Sequence, residues 1–296
     1  MRGLAAAALA TLAIGGCGGD DRPVAAERAA KAPAQPALCA RLSAKVTGRV
    51  AAPEATELSG LVLSRSQPGV LWTHNDSGDR PRVLAVRPDG SLLADVAVGG
   101  AAAFDWEDIA ASRRTLLLAD IGDNLAQREH VDVYRVPEPR LGAGPVQATA
   151  PAGRRRLRYA AGPRDAEALL VDPSDGALVI VEKRFAGRAG VYVAAPGSST
   201  LRRRGGLALG VGEAITAGDV SGDGRTIVLR TYGRAFVWAR RPGESVAAAL
   251  RRRPCSPPND LLVEGQGETL ALTRSGRAFY TVPEGARPAI RRYAPE

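Results

Sequence analysis

The sequence contains few of the side chains that carry the commonest metal and covalent chemistry. Only three Cys and two His occur among 296 residues, and zinc is held mainly by these two residue types. A zinc centre is therefore not expected. There is no G-x-S-x-G motif and no reactive thiol is expected, so covalent acyl transfer has little support.

Lysine and aromatic residues are also scarce. The net charge of +9 comes almost wholly from arginine, and aromatic residues make up only 4% of the chain. The arginines form runs at residues 154–156, 202–204 and 251–253, without a basic helix or the interleaved aromatics that stack on bases. A nucleic-acid partner is therefore not expected, whereas an anionic polymer of the cell envelope remains open.

Long apolar runs are confined to the N-terminus. Arg2 precedes the apolar run 4–14, which has the plan of a secretory signal and is shorter than the roughly 20 residues of a membrane-spanning helix. The letters IGGC at residues 14–17 resemble the lipobox of bacterial lipoproteins. This resemblance implies that residues 1–16 are removed and that Cys17 is acylated. An ordinary cleaved signal is the alternative.

Such a signal predicts a protein on the extracytoplasmic face of a bacterial membrane, lipid-anchored at Cys17. Residues 17–38 are rich in Ala, Pro and charge without strand or helix periodicity, so we expect a flexible tether. Residues 39–296 remain as one folded domain. Cys39 and Cys255 are an even pair in an exported protein, which favours a disulfide. The predicted strand directions bring them together only if the chain loops back after residue 254.

The folded part is built from a repeat of β segments. Acidic first segments recur at 56–64, 105–112, 165–172, 212–221 and 267–273. Each is followed by second and third apolar segments, and four continue to a fourth, at 91–98, 154–160, 200–209 and 245–253. Repeats of this length are typical of propeller blades. We predict an all-β protein, a β-propeller of five four-stranded blades closed by the N-terminal segment 42–50, with six blades as the second choice.

The arginine runs lie on the predicted fourth strands. A fourth strand is the outermost strand of a blade, and charge there blocks edge-to-edge pairing with other molecules. This accounts for the arginines without a ligand.

Acidic residues recur where the first strands begin. Because the first strand of each blade lines the central channel, we expect these glutamates to meet at one channel end: Glu57, Glu107, Glu167 and Glu268, with Glu213 as a weaker fifth. A slip of two residues in the fourth blade would replace Glu213 by Thr216 and Asp219. The second strands end beside them and bring further polar residues: His74, Asp76, Asp120, Lys183, Arg184 and Arg230.

A ring of carboxylates must be neutralised. Calcium is the simplest candidate, because it takes about 6–8 oxygen ligands in flexible geometry, and we predict Glu57, Glu107, Glu167, Glu268 and Asp120 as its ligands. The alternative is a structural network in which each glutamate pairs with a local Arg, Lys or backbone amide and fastens neighbouring blades.

The segments ELSGL, HNDSGD, DWEDIA, ADIGDN, DAEALL, LRTYGRAFVW and GETLA together resemble a group of bacterial exported β-propeller proteins. More distantly, the chain is similar to esterase-like phytase and SdiA-regulated propellers and to calcium-dependent apyrases. The distant resemblances imply a calcium-lined channel and permit phosphoester hydrolysis. The first implies no particular activity, and a fold does not fix a function.

Two functions fit these observations. The first is a monomeric, envelope-anchored module that binds a small ligand or a protein at the acidic channel mouth and meets the membrane only through its lipid. The alternative is a calcium-dependent hydrolase of phosphoesters or lactones. The candidate catalytic residues are then His74 or Asp76 as general base, with Lys183, Arg184 and Arg230 holding an anionic group.

Overall fold

The computed structural model describes residues 35–142 and 146–296. The predicted signal peptide, the acylation site Cys17 and nearly all of the predicted tether lie outside these residues. Within the described ranges, no helix is both long and apolar enough to cross a membrane.

The described strands form antiparallel groups in chain order. The N-terminal strand is β1 (Leu42–Arg49). Group 1 contains β2 (Leu58–Leu63), β3 (Leu71–Asn75), β4 (Arg82–Val86) and β5 (Leu92–Gly99). Group 2 contains β6 (Trp106–Ser112), β7 (Thr115–Asp120), β8 (Val131–Pro137) and β10 (Gly153–Tyr159), preceded by β9 (Val146–Pro151), which pairs in parallel with β5. Group 3 contains β11 (Ala166–Val171), β12 (Leu178–Glu182), β13 (Arg188–Ala194) and β14 (Thr200–Ala208).

The remaining strands complete two further groups. Group 4 contains β15 (Ile215–Val220), β16 (Thr226–Thr231) and β17 (Ala235–Ala239). Group 5 contains β18 (Ala271–Leu272), β19 (Phe279–Thr281) and β20 (Ala289–Pro295), and β1 pairs with β20 as its outer strand. The N-terminal segment therefore closes the last group, as predicted.

The first strands of the groups pack against one another around a centre. β2 contacts β6, β6 contacts β11, β11 contacts β15, β15 contacts β18, and β18 contacts β2. The apolar core is divided among the junctions between groups, with one buried cluster at each. An all-β ring of radially arranged antiparallel groups is a β-propeller, so the predicted fold class is confirmed.

The predicted fourth strand at 245–253 is wrong. Val246–Ala249 form a short helix, α1, because Ala and Leu favour helix and Ser245 caps it by accepting a hydrogen bond from the Ala248 amide at 3.1 Å. The outer position beside β17 is taken instead by one bridge between Val237 and Cys255. The third arginine run, 251–253, therefore does not lie on an edge strand.

The same bridge explains how the two cysteines meet. Cys255 exchanges backbone hydrogen bonds of 3.0 and 2.8 Å with Val237, so the chain turns back along β17 after residue 254. Cys39 and Cys255 form a disulfide with their Cα atoms 5.6 Å apart. It joins the chain entering group 5 to the chain leaving group 4.

Candidate functional site

Three carboxylates meet at one end of the channel. Asp76 follows β3, Asp105 precedes β6, and Glu107 lies within β6. One carboxylate oxygen from each lies within 4.8 Å of the others. We call this set the acidic triad.

A β-bulge positions Glu107. The β6–β7 ladder pairs Trp106 with Asp120 and then Asp108 with Ala119, which leaves Glu107 as the extra residue. The same irregularity occurs at Glu167 in β11 and at Thr216 in β15. Bulges re-aim side chains, so the repeated bulge brings residues of different groups to the same depth of the channel.

No residue of the triad forms an ion pair within the described part of the chain, and burial outweighs the charges of Lys183 and Arg128 nearby. Glu107 is 3% exposed, and burial, followed by the charges of Asp76 and Asp105, raises its pKa well above the usual value. Burial and neighbouring carboxylates raise the pKa of Asp76 to about 7. Burial also raises the pKa of Asp105. Among the described residues, the buried Oδ1 of Asp76 has no hydrogen-bond partner, so a bound cation fits this donor set.

Gly122 leaves the space that the triad occupies. A Cβ atom at this position would overlap Oε1 of Glu107 and Oδ2 of Asp105. The Gly122 amide also donates to the Asp105 carbonyl at 3.2 Å. The glycine in ADIGDN is therefore required by the close approach of two carboxylates rather than by a turn.

The other side of the mouth is already compensated. The Lys183 ammonium pairs with Glu167 and lies 3.9 Å from Glu268. The Tyr232 hydroxyl donates to Glu268 at 2.7 Å, and burial and this carboxylate raise its pKa. Glu167 and Glu268 therefore belong to an ion-pair network, the structural alternative for the acidic ring, whereas the triad forms no ion pair among the described residues.

The other residues predicted at the acidic ring are dispersed. Glu57 is exposed just before β2 and contributes to the charge around Asp76. Asp120 lies behind the triad, where it accepts from Arg128 at 2.7 Å and from the Asp105 amide at 3.3 Å. Glu213 accepts from the Thr231 hydroxyl at 2.5 Å. Thr216 takes the bulge position of β15, whereas Asp219 bonds Arg65 in the loop after β2.

Of the five candidate catalytic residues, Asp76 and Lys183 lie at the mouth. His74 is fully buried edge-on to Trp106, with ring centroids 5.4 Å apart, and burial lowers its pKa to about 4. Arg230 is fully buried in an ion pair of 2.9 Å with Glu264. Arg184 is exposed, with its guanidinium 3.8 Å from Glu182.

Sequence reasoning missed four participants. Asp105 stands two positions before Glu107, and strand alternation could have identified it. Gly122 and Tyr232 lie just after the ends of the second strands β7 and β16. Glu284 lies in the β19–β20 loop, where burial and Glu268 raise its pKa to about 7.

Exposed apolar side chains lie on the same face of the propeller as the triad. Connections from strand two to three, and from one group to the next, all lie on the face where first strands begin. These connections carry six of the seven large exposed hydrophobic residues of the described chain: Phe104, Leu125, Phe185, Val211, Leu262 and Val263. We call this set the apolar rim. Exposed apolar patches around polar centres are typical of binding sites.

Comparisons with known proteins add likenesses of fold. No protein-family model matches the chain, and no curated protein sequence matches it. A gluconolactonase structure from Xanthomonas campestris has 15% identity and a TM-score of 0.45, covering 89% of this chain and 97% of that one. The WD40 repeats of RRP9 have 9% identity and a TM-score of 0.43, covering 86% of this chain and 100% of that one. At these identities and TM-scores, the likenesses carry no information on the activity of this chain.

Proposed function

We propose that this protein is a calcium-dependent binding module whose ligand site is the acidic mouth of the propeller. The observation that carries the proposal is the acidic triad, in which a buried glutamate and two half-buried aspartates converge. A cation offsets the burial and the mutual repulsion that raise the pKa values of these carboxylates. Calcium is preferred because every donor is oxygen.

The triad leaves coordination positions for a ligand. Three carboxylates supply fewer than the about 6–8 oxygens that calcium takes, even where one carboxylate binds through both oxygens. Asp76 and Asp105 are half-buried, with their exposed part toward solvent. The remaining positions are therefore accessible to carboxylate, carbonyl or hydroxyl oxygens of a ligand.

The apolar rim favours a ligand that has an apolar part. Phe104 and Phe185 are 66% and 55% exposed, and covering such side chains stabilises a complex by about 25 cal/mol per Å² buried. A ligand with an oxygen-bearing head and an apolar body satisfies both the cation and the rim. We therefore propose an amphiphilic small molecule as the ligand class.

Dodecanoate is a suitable probe of this proposal. With calcium present, we expect saturable dodecanoate binding that a chelator abolishes. Phe104→Ser and Phe185→Ser should each weaken it several-fold, roughly 1 kcal/mol per ring removed from the contact. Val46→Ser is the matched control, because Val46 is an exposed apolar residue on the outer strand β1. Binding that is indifferent to calcium, or equal in all variants, contradicts the proposal.

A second candidate is hydrolysis of lactones or phosphoesters, which the sequence resemblance to phytase-like and apyrase propellers permits. Lys183 favours it, because its ammonium lies at the mouth, 3.9 Å from Glu268, where it can hold an anionic group. When bound, calcium would polarise a carbonyl or phosphoryl oxygen. Turnover of a lactone or a phosphomonoester that stops on chelation and in Lys183→Met would establish it. The Lys45→Met variant serves as the control, since Lys45 lies on β1.

We further propose that the propeller is displayed outside the cytoplasm on a lipid anchor at Cys17, because residues 14–17 have the lipobox pattern. Expressed in a bacterium, the mature protein should start at Cys17 and carry acyl mass by intact mass spectrometry. Cys17→Ser should release an unacylated protein. A mature N-terminus elsewhere with no acyl mass would contradict the anchor.

A further inference from the structure

The channel has a second mouth, at the end opposite the acidic triad. There a cavity of about 310 Å³ lies among the loops that join first strands to second strands. All five groups contribute to its lining, through residues that include Arg65, Arg113, Pro173, Asp219 and Arg274. We call this the basic mouth.

Each arginine of the basic mouth reaches it from a different group. Arg65 is 12% exposed and is fixed by Asp219 at 3.0 Å and by the Val220 carbonyl at 2.6 Å. Arg274 is exposed and donates to the Arg65 carbonyl at 3.2 Å. Arg113 is exposed in the β6–β7 turn. Three arginines from three different groups therefore line one cavity.

The one lining carboxylate is already engaged. Asp219 accepts from the Val220 amide at 2.7 Å and from the Leu272 amide at 2.8 Å, in addition to Arg65. Its charge offsets that of Arg65, which leaves Arg113 and Arg274 as the positive charge at the cavity. Guanidinium groups match the geometry of phosphoryl and carboxylate oxygens.

The backbone at Arg113 supports a role for this side chain. Its φ is 54°, in the left-handed region where glycine is preferred and other residues are strained. A bulky charged residue at such a position in a two-residue turn lowers stability. Strain that a fold retains is found mostly at binding and catalytic sites.

We propose that the basic mouth binds a small anion bearing a phosphoryl group, held by Arg113 and Arg274 against the Arg65–Asp219 pair. This site lies across the channel from the acidic triad and uses none of its residues. Anion binding at the basic mouth can therefore be tested independently of calcium binding at the triad.

Calorimetric titration of the purified protein with inorganic phosphate, at constant ionic strength, tests the proposal. Arg113→Gly and Arg274→Ala should each weaken binding about tenfold or more. Arg114→Ala is the matched control, because it removes the same charge from the same turn without lining the cavity. Arg113→Gly should also melt no lower than the parent protein, since glycine relieves the positive φ.

The source of the phosphoryl group is tested with phosphatidylglycerol vesicles. Vesicle retention that phosphate displaces and that Arg113→Gly abolishes supports the same site with a lipid headgroup as its ligand. Phosphate binding without such retention supports a free anion. Absence of saturable phosphate binding, or equal binding by Arg113→Gly, Arg274→Ala and Arg114→Ala, overturns the proposal.

Discussion

Replacing Gly122 with alanine is expected to weaken calcium binding by roughly 10–100-fold, the range that misplaced metal ligands commonly produce. The new methyl group would occupy space now taken by the carboxylates of Glu107 and Asp105. Both side chains would have to turn away, and two of the three triad carboxylates would move together. The φ of Gly122 lies outside the left-handed region, so alanine itself is compatible with the backbone.

The matched control is Gly142→Ala, since a Cβ at residue 142 meets open space. Calcium affinity measured by calorimetry should be unchanged in this variant, and the melting temperatures of both calcium-free variants should stay near that of the parent. If Gly122→Ala bound calcium as tightly as Gly142→Ala, the triad could not be the cation site.

Replacing Arg230 with leucine is expected to destabilise the propeller by about 3–5 kcal/mol. Both partners of the Arg230–Glu264 pair are fully buried. Glu264 also accepts from the hydroxyls of Thr281 at 2.5 Å and Tyr293 at 2.8 Å. Without the guanidinium, its charge would remain buried with only neutral donors, in the region that joins groups 4 and 5.

Arg156→Leu is the comparison for this effect. Arg156 pairs with Asp132 at 3.3 Å but is 52% exposed, and such pairs contribute only about 0–1 kcal/mol. Urea unfolding monitored by circular dichroism measures both variants. Equal losses of unfolding free energy would show that Arg230 is not part of a buried network.

The repeat could be predicted from the sequence because the same local residue pattern occurs in each group. An acidic residue precedes an apolar first strand, and a second and third strand follow, so alternation and turn residues identify most of the elements. Closure by β1 was predictable for a related reason. The last repeat lacked an outer strand, and one unused β segment remained at residues 42–50.

The structure differs from the sequence prediction where contacts from outside the repeat determine the local conformation. Residues 245–253 follow a third strand and so occupy the place of a fourth strand in the repeat, yet Ser245 and the alanines start a helix. The Asp172 carboxylate of group 3 stabilises that start by accepting from the Val246 amide at 2.6 Å. The additional strand β9 forms because it pairs with β5 of the preceding group. The residue pattern within one repeat does not indicate a pairing with a neighbouring group.

In the candidate site, too, some features follow from the repeat and others depend on contacts from outside it. Glu107, Glu167 and Glu268 lie at one channel end because the first strands converge there. Their environments differ because Lys183 pairs with Glu167 and approaches Glu268 but forms no ion pair with Glu107. The buried environment of Arg230 depends on Glu264, which belongs to no repeat motif.

The two ends of the channel differ in chemistry. One carries the acidic triad and the apolar rim, and the other carries Arg65, Arg113 and Arg274. The two proposals therefore concern opposite faces of the propeller and ligands of different charge.

Calcium calorimetry on the chelator-treated protein, beside Glu107→Gln and Glu167→Gln, tests the central claim most directly. Saturable binding by the parent should fall by roughly a hundredfold in Glu107→Gln, because that variant removes one charge from the triad. Glu167→Gln should retain most of the affinity, since Lys183 already neutralises Glu167. No heat with the parent protein, or equal losses in the two variants, would contradict a calcium site at Asp76, Asp105 and Glu107.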